Sequence, residues 1–155
     1  MTVAPLAEQK KALIDRWRRE GFPDDLLKTF QAVPREEFLP VALRENAYVD
    51  QPYPIGYEQT ISQPTTILIM LSLLEVSAGR KVLEIGSGSG YVCALLAELG
   101  CMVTGIEIVP ELAVRTSRTL AKLGYETHTA IHAADGSGGW EEGAPYDRIL
   151  ISAGA

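Results

Sequence analysis

The sequence predicts an α/β domain, a parallel sheet alternating with helices behind a helical N-terminal region, and three observations carry that expectation. From Lys81 onward, apolar strand-length runs alternate with helix-length segments. A glycine-rich turn, Glu84-Ile85-Gly86-Ser87-Gly88-Ser89-Gly90, joins the first of those strands to the first of those helices. The 155 residues, 46% hydrophobic and 22% charged, suffice for a buried core without disulfides or a structural metal. A single domain over residues 1–155 is expected, with N-terminal helices over 1–45, a loop over 46–64 and the sheet core over 65–155.

In chain order, Leu6, Lys10, Leu13, Ile14 and Trp17 recur at helical spacing until Gly21 and Pro23 stop them. Asp24 opens a second short helix with Leu26, Leu27 and Phe30 on one side. It ends at Val33, because the residue before a proline avoids helical dihedrals. A third turn runs from Arg35 to Leu39. From Asn46 to Pro64 the prolines Pro52, Pro54 and Pro64 and the glycine Gly56 break any helix, so a long ordered loop is expected, and loops of that length are often functional. Thr65 to Leu74 follows a proline at a helix start and is expected to lie against a sheet. Strands are expected at Lys81 to Ile85, Met102 to Glu107, Glu126 to His132 and Asp147 to Ser152. Helices are expected at Tyr91 to Leu99 and at Glu111 to Leu123, the latter ended by Gly124. Such apolar strands imply a parallel sheet covered on both faces.

Bulk properties exclude several function classes. No stretch approaches the roughly 20 apolar residues of a membrane span, and Met1 to Lys10 lacks the apolar run and cleavage site of a secretory signal, so a soluble cytoplasmic protein is expected. A net charge of −6 and a pI near 4.9 oppose attraction to phosphate backbones, so no nucleic-acid partner is expected. Cys93 and Cys101 form no metal-type cluster; both read as core residues, and no metal is expected.

Taken alone, the glycine turn is a weak pattern that fits a tight turn as well as a ligand loop. Two acids change the balance. Glu107 ends the second strand, 21 residues beyond Gly86, where a carboxylate can accept hydrogen bonds from both ribose hydroxyls. Asp135, in Ala134-Asp135-Gly136, brings another carboxylate to the same edge, where an adenine amino group would be read. A nicotinamide dinucleotide fits that geometry too, but Tyr91 stands where its fingerprint wants glycine or alanine. Its pyrophosphate would also approach Glu84, Glu107 and Asp135. At ~6 Å and an effective dielectric of ~20, each such charge pair costs roughly 3 kcal/mol. S-adenosylmethionine carries a sulfonium and an ammonium against one carboxylate, and Glu84 can hold its ammonium side. The alternative for Glu84 is a solvated strand residue.

These residues resemble the protein-L-isoaspartate (D-aspartate) O-methyltransferase family. The resemblance rests on Tyr48-Val49-Asp50 leading to Pro54-Ile55-Gly56, on Gln59-Thr60-Ile61-Ser62-Gln63-Pro64, on Leu83 to Tyr91 around the glycine turn, and on Asp135-Gly136 with Gly139-Trp140 and Ala144-Pro145-Tyr146-Asp147. It runs from about Arg35 to Ala155. It implies a Rossmann-like class I S-adenosylmethionine-dependent methyltransferase fold with N-terminal helices, and methyl transfer to the α-carboxylate of L-isoaspartyl residues in damaged proteins and peptides, leaving S-adenosylhomocysteine. A carboxylate of pKa about 4 is already ionised at pH 7, so the reaction needs alignment more than a general base. His128 and His132 therefore read as sheet residues.

By the same resemblance Ser62 matches the active-site serine, orienting the substrate carboxylate. The cofactor would be held by Gln59, Thr60, Ile61, Ser62, Glu84, Gly86, Ser87, Gly88, Gly90, Glu107, Ile108, Asp135 and Gly136. The plain alternative for Ser62 is a cap on the helix after Pro64. Thr65 and Thr66 stand where the family often has an aromatic residue or histidine. Family members continue past the fourth strand of the sheet, so C-terminal strands are expected to be missing and the fourth strand to form an edge. Two alternatives stand beside repair: a related carboxylate O-methyltransferase acting on a dedicated peptide, and a truncated non-catalytic cofactor-binding or assembly domain. The sequence does not indicate an oligomeric state.

Overall fold

The computed structural model describes residues 3–153, and the chain divides into two compact units, one up to Glu75 and one from Val76. Ala155, on which the expectation of missing strands rests, lies outside the described residues.

The first unit opens with α1 (Leu6–Arg19), which buries Leu13, Ile14 and Trp17, and α2 (Asp24–Ala32), which buries Leu26, Leu27 and Phe30. Trp17 meets Phe30 edge-to-face with ring centroids 5.1 Å apart, the preferred aromatic geometry. Val33 is extended before Pro34 and stops α2 as expected. Two 3-10 turns follow, Arg35–Phe38 and Val41–Asn46.

The loop expected over 46–64 contains regular structure. Strand β1 (Tyr53–Gly56) pairs antiparallel with β2 (Gln59–Ile61), Tyr53 opposite Ile61, with an irregularity between Pro54 and Gly56. Tyr53 and Ile55 point inward while Pro54 and Gly56 are exposed, so the proline sits where an edge strand tolerates it. The connecting residues Tyr57 and Glu58 both hold φ above +50°. A two-residue hairpin turn needs that conformation but usually takes Asn-Gly, so this pair carries no turn signature. Helix α3 (Pro64–Leu74) follows, with proline in its first turn, and groups with the first unit.

The second unit is a four-stranded parallel sheet in the order β5-β4-β3-β6. Its strands are β3 (Lys81–Ile85), β4 (Met102–Glu107), β5 (Thr129–Ala133) and β6 (Arg148–Ile151); α4 (Tyr91–Glu98) links β3 to β4 and α5 (Pro110–Lys122) links β4 to β5. Strand β5 starts three residues later than expected, because His128 N–H and the Thr129 hydroxyl both bond Tyr125 O and hold 125–128 in a turn. Stepping one way from β3 through β4 to β5, right-handed crossovers put α4 and α5 on one face. The return to β6 crosses the other face, where the Gly136 backbone lies over Ile85 and Ile106 and His132 stacks on Trp140 at 4.6 Å. Strand β6 is an edge of this sheet, with Ile149 and Ile151 exposed. Cys93 and Cys101 are buried and free.

Candidate functional site

The β3–α4 connection is held by β4. Gly86 and Ser87 N–H both donate to Ile106 O, at 2.8 and 3.0 Å; Gly88 N–H donates to the Glu107 carboxylate at 2.8 Å; Gly90 N–H donates to Ser87 O at 2.8 Å. These four donors are used internally, so the turn is not the cradle of free N–H groups that a pyrophosphate requires. Backbone shape explains the glycines. Gly86 holds φ +82°, and a Cβ there would lie 2.5 Å from that of Ala153; Gly90 holds φ +87°, with a Cβ 2.5 Å from Thr116 Cγ2. Buried Thr116, on α5, donates its hydroxyl to Gly88 O at 2.6 Å. Gly90→Ala combines a left-handed alanine, about 1–2 kcal/mol, with displacement of Thr116. Urea denaturation is expected to show a loss of about 2 kcal/mol or more; a stability equal to that of the unsubstituted chain removes this account of Gly90.

The acids gather at the carboxyl edge of the sheet. Glu84 is 1% exposed, not the solvated strand residue of the alternative reading, and both its oxygens are engaged: Ser152 Oγ–H donates to Oε1 at 2.7 Å and Cys93 Sγ–H to Oε2 at 2.9 Å. Burial pushes the Glu84 carboxyl up to about 7 against the pull of those two donors, and the Glu107 charge adds to the rise. Burial and the neighbouring Glu84 push the Cys93 thiol well above its ordinary range, so it is a proton donor and not a thiolate. Glu107 is 4% exposed and accepts Gly88 N–H on Oε2 and Val109 N–H on Oε1, at 2.8 and 3.0 Å. Each of its oxygens keeps a lone pair for a further donor. Ile108, next to it in sequence, is an apolar side chain that is 66% exposed. Asp135 is exposed, and the Ser137 N–H donating to it at 2.9 Å holds its carboxyl below the usual range. Ser87 Oγ is buried without a hydrogen-bond partner among the described residues. Two buried acids, an unpartnered buried hydroxyl and an exposed apolar residue fit a cation with a hydroxylated, partly apolar body, which is the chemistry of S-adenosylmethionine.

Gln59, Thr60, Ile61 and Ser62 lie in the first unit, on β2 and the turn into α3. Gln59 and Thr60 are exposed, Ile61 is buried and Ser62 half-buried. Ser62 does not cap α3. Gln63 precedes the helix without a side-chain cap, and Asp50 takes that role from a distance, accepting Thr65 N–H at 2.9 Å and the Thr65 hydroxyl at 2.6 Å. Burial opposes ionisation of Asp50, but the bonds from Thr65 and Arg16 outweigh it and hold its carboxyl below the usual range. The Ser62 hydroxyl makes no hydrogen bond among the described residues, while its carbonyl accepts Arg35 Nη2–H at 2.8 Å. Arg35, Thr116 and Ser152 carried no signal in the sequence reading. Arg35 stands beside Glu36 and Glu37 in the sequence, yet it is fully buried.

The model of the family described as protein-L-isoaspartate(D-aspartate) O-methyltransferase matches residues 8–155. The chain is 47% identical over 128 residues to a protein-L-isoaspartate O-methyltransferase of Gloeobacter violaceus, covering 83% of this chain and 62% of that relative. It is 43% identical over 149 residues to one from Rhodopseudomonas palustris, covering 96% of this chain and 60% of the relative. The chain thus spans about three fifths of these relatives' lengths. Among solved structures, a protein-L-isoaspartate O-methyltransferase superposes with a TM-score of 0.82 at 29% identity, covering 94% of this chain and 48% of that one. A Plasmodium falciparum structure described as a complex with S-adenosyl-L-homocysteine superposes at 0.78 and 24% identity, covering 94% of this chain and 73% of that one, a likeness of fold.

Proposed function

The chain belongs to the protein-L-isoaspartate(D-aspartate) O-methyltransferase family, and from that premise we propose that it binds S-adenosylmethionine and methylates the α-carboxylate of L-isoaspartyl residues in damaged proteins and peptides. The observation that carries the cofactor half is the buried pair Glu84 and Glu107 beside a glycine turn in which the N–H groups of Gly86, Ser87, Gly88 and Gly90 are spent internally. Such a pair repels an anionic ligand and favours a cationic one. When bound, S-adenosylmethionine supplies a methyl group activated on a sulfonium. Glu107 holds the ribose hydroxyls, Glu84 faces the ammonium side, Ile108 packs on the adenine, and Asp135 with Gly136 reads its amino group. Gln59, Thr60 and Ile61 complete the cofactor contacts.

Ser62 orients the substrate carboxylate through a hydroxyl that no described residue occupies, and it attacks nothing. Substrate proteins are engaged through their isoaspartyl sites. The cytoplasm is the compartment we assign, in keeping with two free cysteines, and no helix among the described residues is long and apolar enough to cross a membrane.

The test is calorimetric titration of the 155-residue chain with S-adenosylhomocysteine, followed by methyl transfer to matched isoaspartyl and aspartyl peptides. Binding together with preferential methylation of the isoaspartyl peptide is the expected result; equal use of both peptides removes the isoaspartyl assignment. Ser62→Ala is expected to lower kcat about 10–100-fold, the worth of one hydrogen bond to a charged group, with S-adenosylhomocysteine affinity within about threefold. Unchanged turnover takes Ser62 out of the mechanism.

A further inference from the structure

Arg35 is 0% exposed, and its bonds tie three separate stretches of the first unit together. Its Nε–H donates to Ala47 O at 2.8 Å, and its Nη2–H to Ser62 O at 2.8 Å across 27 residues of chain. Its own backbone N–H donates to the Tyr48 hydroxyl at 3.1 Å, and that hydroxyl donates onward to Glu36 Oε2 at 2.6 Å. The base of the arm is therefore anchored to Tyr48 before the guanidinium reaches out. Lys10 of α1 strengthens that anchor, with its Nζ 5.2 Å from the centroid of the Tyr48 ring. On the far side of Ser62, the Asp50 carboxylate holds Thr65 through two bonds, and Thr65 Oγ1 also accepts Trp17 Nε1–H at 2.9 Å. The backbone around Ser62 is fastened from both directions while its hydroxyl is left without a partner.

We propose that Arg35 is a positioning residue that sets the Thr60–Gln63 backbone in advance, so that the Ser62 hydroxyl is presented to substrate without an ordering cost at the moment of binding. The inference rests on the assignment of Ser62 above. The physical need is plain: a hydroxyl that must orient a carboxylate within a fraction of an ångström cannot ride on a freely moving turn. A guanidinium suits the task because its planar fork reaches two carbonyls in fixed directions, whereas a lysine ammonium at that depth is a single point donor.

Hydrogen–deuterium exchange on the 155-residue chain tests this. In the unsubstituted chain the 60–63 amides are expected to open with α1, not as an independent loop. In Arg35→Lys those amides are expected to exchange about tenfold faster or more, while α1 and β3–β4 stay within about twofold. Tyr48→Phe, which removes the anchor at the base of the arm but spares both guanidinium acceptors, is expected to accelerate exchange at 60–63 by less than Arg35→Lys does, and an equal or larger effect overturns the assignment to the guanidinium.

In turnover, Arg35→Lys is expected to lower kcat about tenfold or more with KM for the isoaspartyl peptide within about threefold, and Ser62→Ala is expected to cost little further in that background. Unchanged exchange at 60–63, acceleration spread evenly through the first unit, or a full additional Ser62→Ala effect in the Arg35→Lys background overturns the proposal. If Arg35→Lys does not fold, independent opening of 60–63 in the unsubstituted chain still overturns it. Failure of the unsubstituted chain to bind S-adenosylhomocysteine overturns the methyltransferase reading instead, and the exchange comparison still decides the role of Arg35.

Discussion

Glu107→Ala is expected to weaken S-adenosylhomocysteine binding by about 2 kcal/mol or more, roughly thirtyfold or more in Kd. Two losses combine. The ribose hydroxyls lose a charged acceptor, and the N–H groups of Gly88 and Val109, which Glu107 accepts at 2.8 and 3.0 Å, lose theirs. The second loss falls on the folded protein itself, because an orphaned buried N–H costs about 1–3 kcal/mol. A lower melting temperature should therefore accompany the weaker binding. Glu107→Gln separates the terms: it preserves shape and one carbonyl acceptor but turns an amide N–H₂ toward a backbone donor. With one of the two N–H groups still left without an acceptor, it should recover only part of the stability lost in Glu107→Ala and still lose much of the affinity. Calorimetry on both variants, with urea denaturation alongside, makes the comparison. An affinity within threefold of the unsubstituted chain, in a variant that remains folded, would mean that the ribose is held elsewhere.

Glu107 is legible in the sequence because its position at a strand end, 21 residues past Gly86, is a pattern of spacing. The limits of β3 and β4 were legible for a related reason: Val82, Leu83 and Ile85 and Met102, Val103, Thr104 and Ile106 make short, mostly apolar or β-branched runs between Lys81 and the glycine turn and between Cys101 and Glu107. The hairpin at Tyr53–Ile61 was not, since its turn is made by Tyr57 and Glu58, residue types that give no sign of a left-handed backbone. Nor was the bonding around the acids. The bond between Ser152 and Glu84 spans 68 residues, and that between Thr116 and Gly88 spans 28. Periodicity reports which face of an element is apolar; it does not report which hydroxyl from a distant element will meet a carboxylate. Asp50 shows the consequence. It caps α3 from 15 residues away, a partner that no local pattern beside Pro64 could reveal, whereas Ser62, the plain local alternative for a cap, makes no such bond. With Asp50 supplying the cap, a capping role does not account for Ser62.

Glu84 should make stability and cofactor affinity respond to pH in opposite directions. Its carboxyl is pushed from 4.5 up to about 7 by burial, against the donors Cys93 and Ser152 and with the repulsion of Glu107. With the folded value above the unfolded one, the folded state binds the extra proton. Stability is then greatest below about pH 4.5 as far as this group is concerned, declines as pH rises toward 7, and levels off above it. The full excursion is on the order of 3 kcal/mol. It should appear as the difference between the unsubstituted chain and Glu84→Gln in urea denaturation from pH 5 to 8, because the other titrating groups are common to both. Ligand binding reverses the sign. A cofactor ammonium beside Glu84 favours the carboxylate, so below pH 7 binding must expel the proton. Kd should fall by up to about tenfold per pH unit between pH 5 and 7, with about one proton released per ligand bound. Calorimetry in buffers of different ionisation enthalpy counts that proton. A pH-independent Kd together with a stability difference would place Glu84 in the fold and away from the ammonium. A flat response in both would mean that Glu84 is ionised in the free protein, held so by Ser152 and Cys93. Only stability declining while affinity rises over the same pH interval assigns the buried carboxylate to the cation.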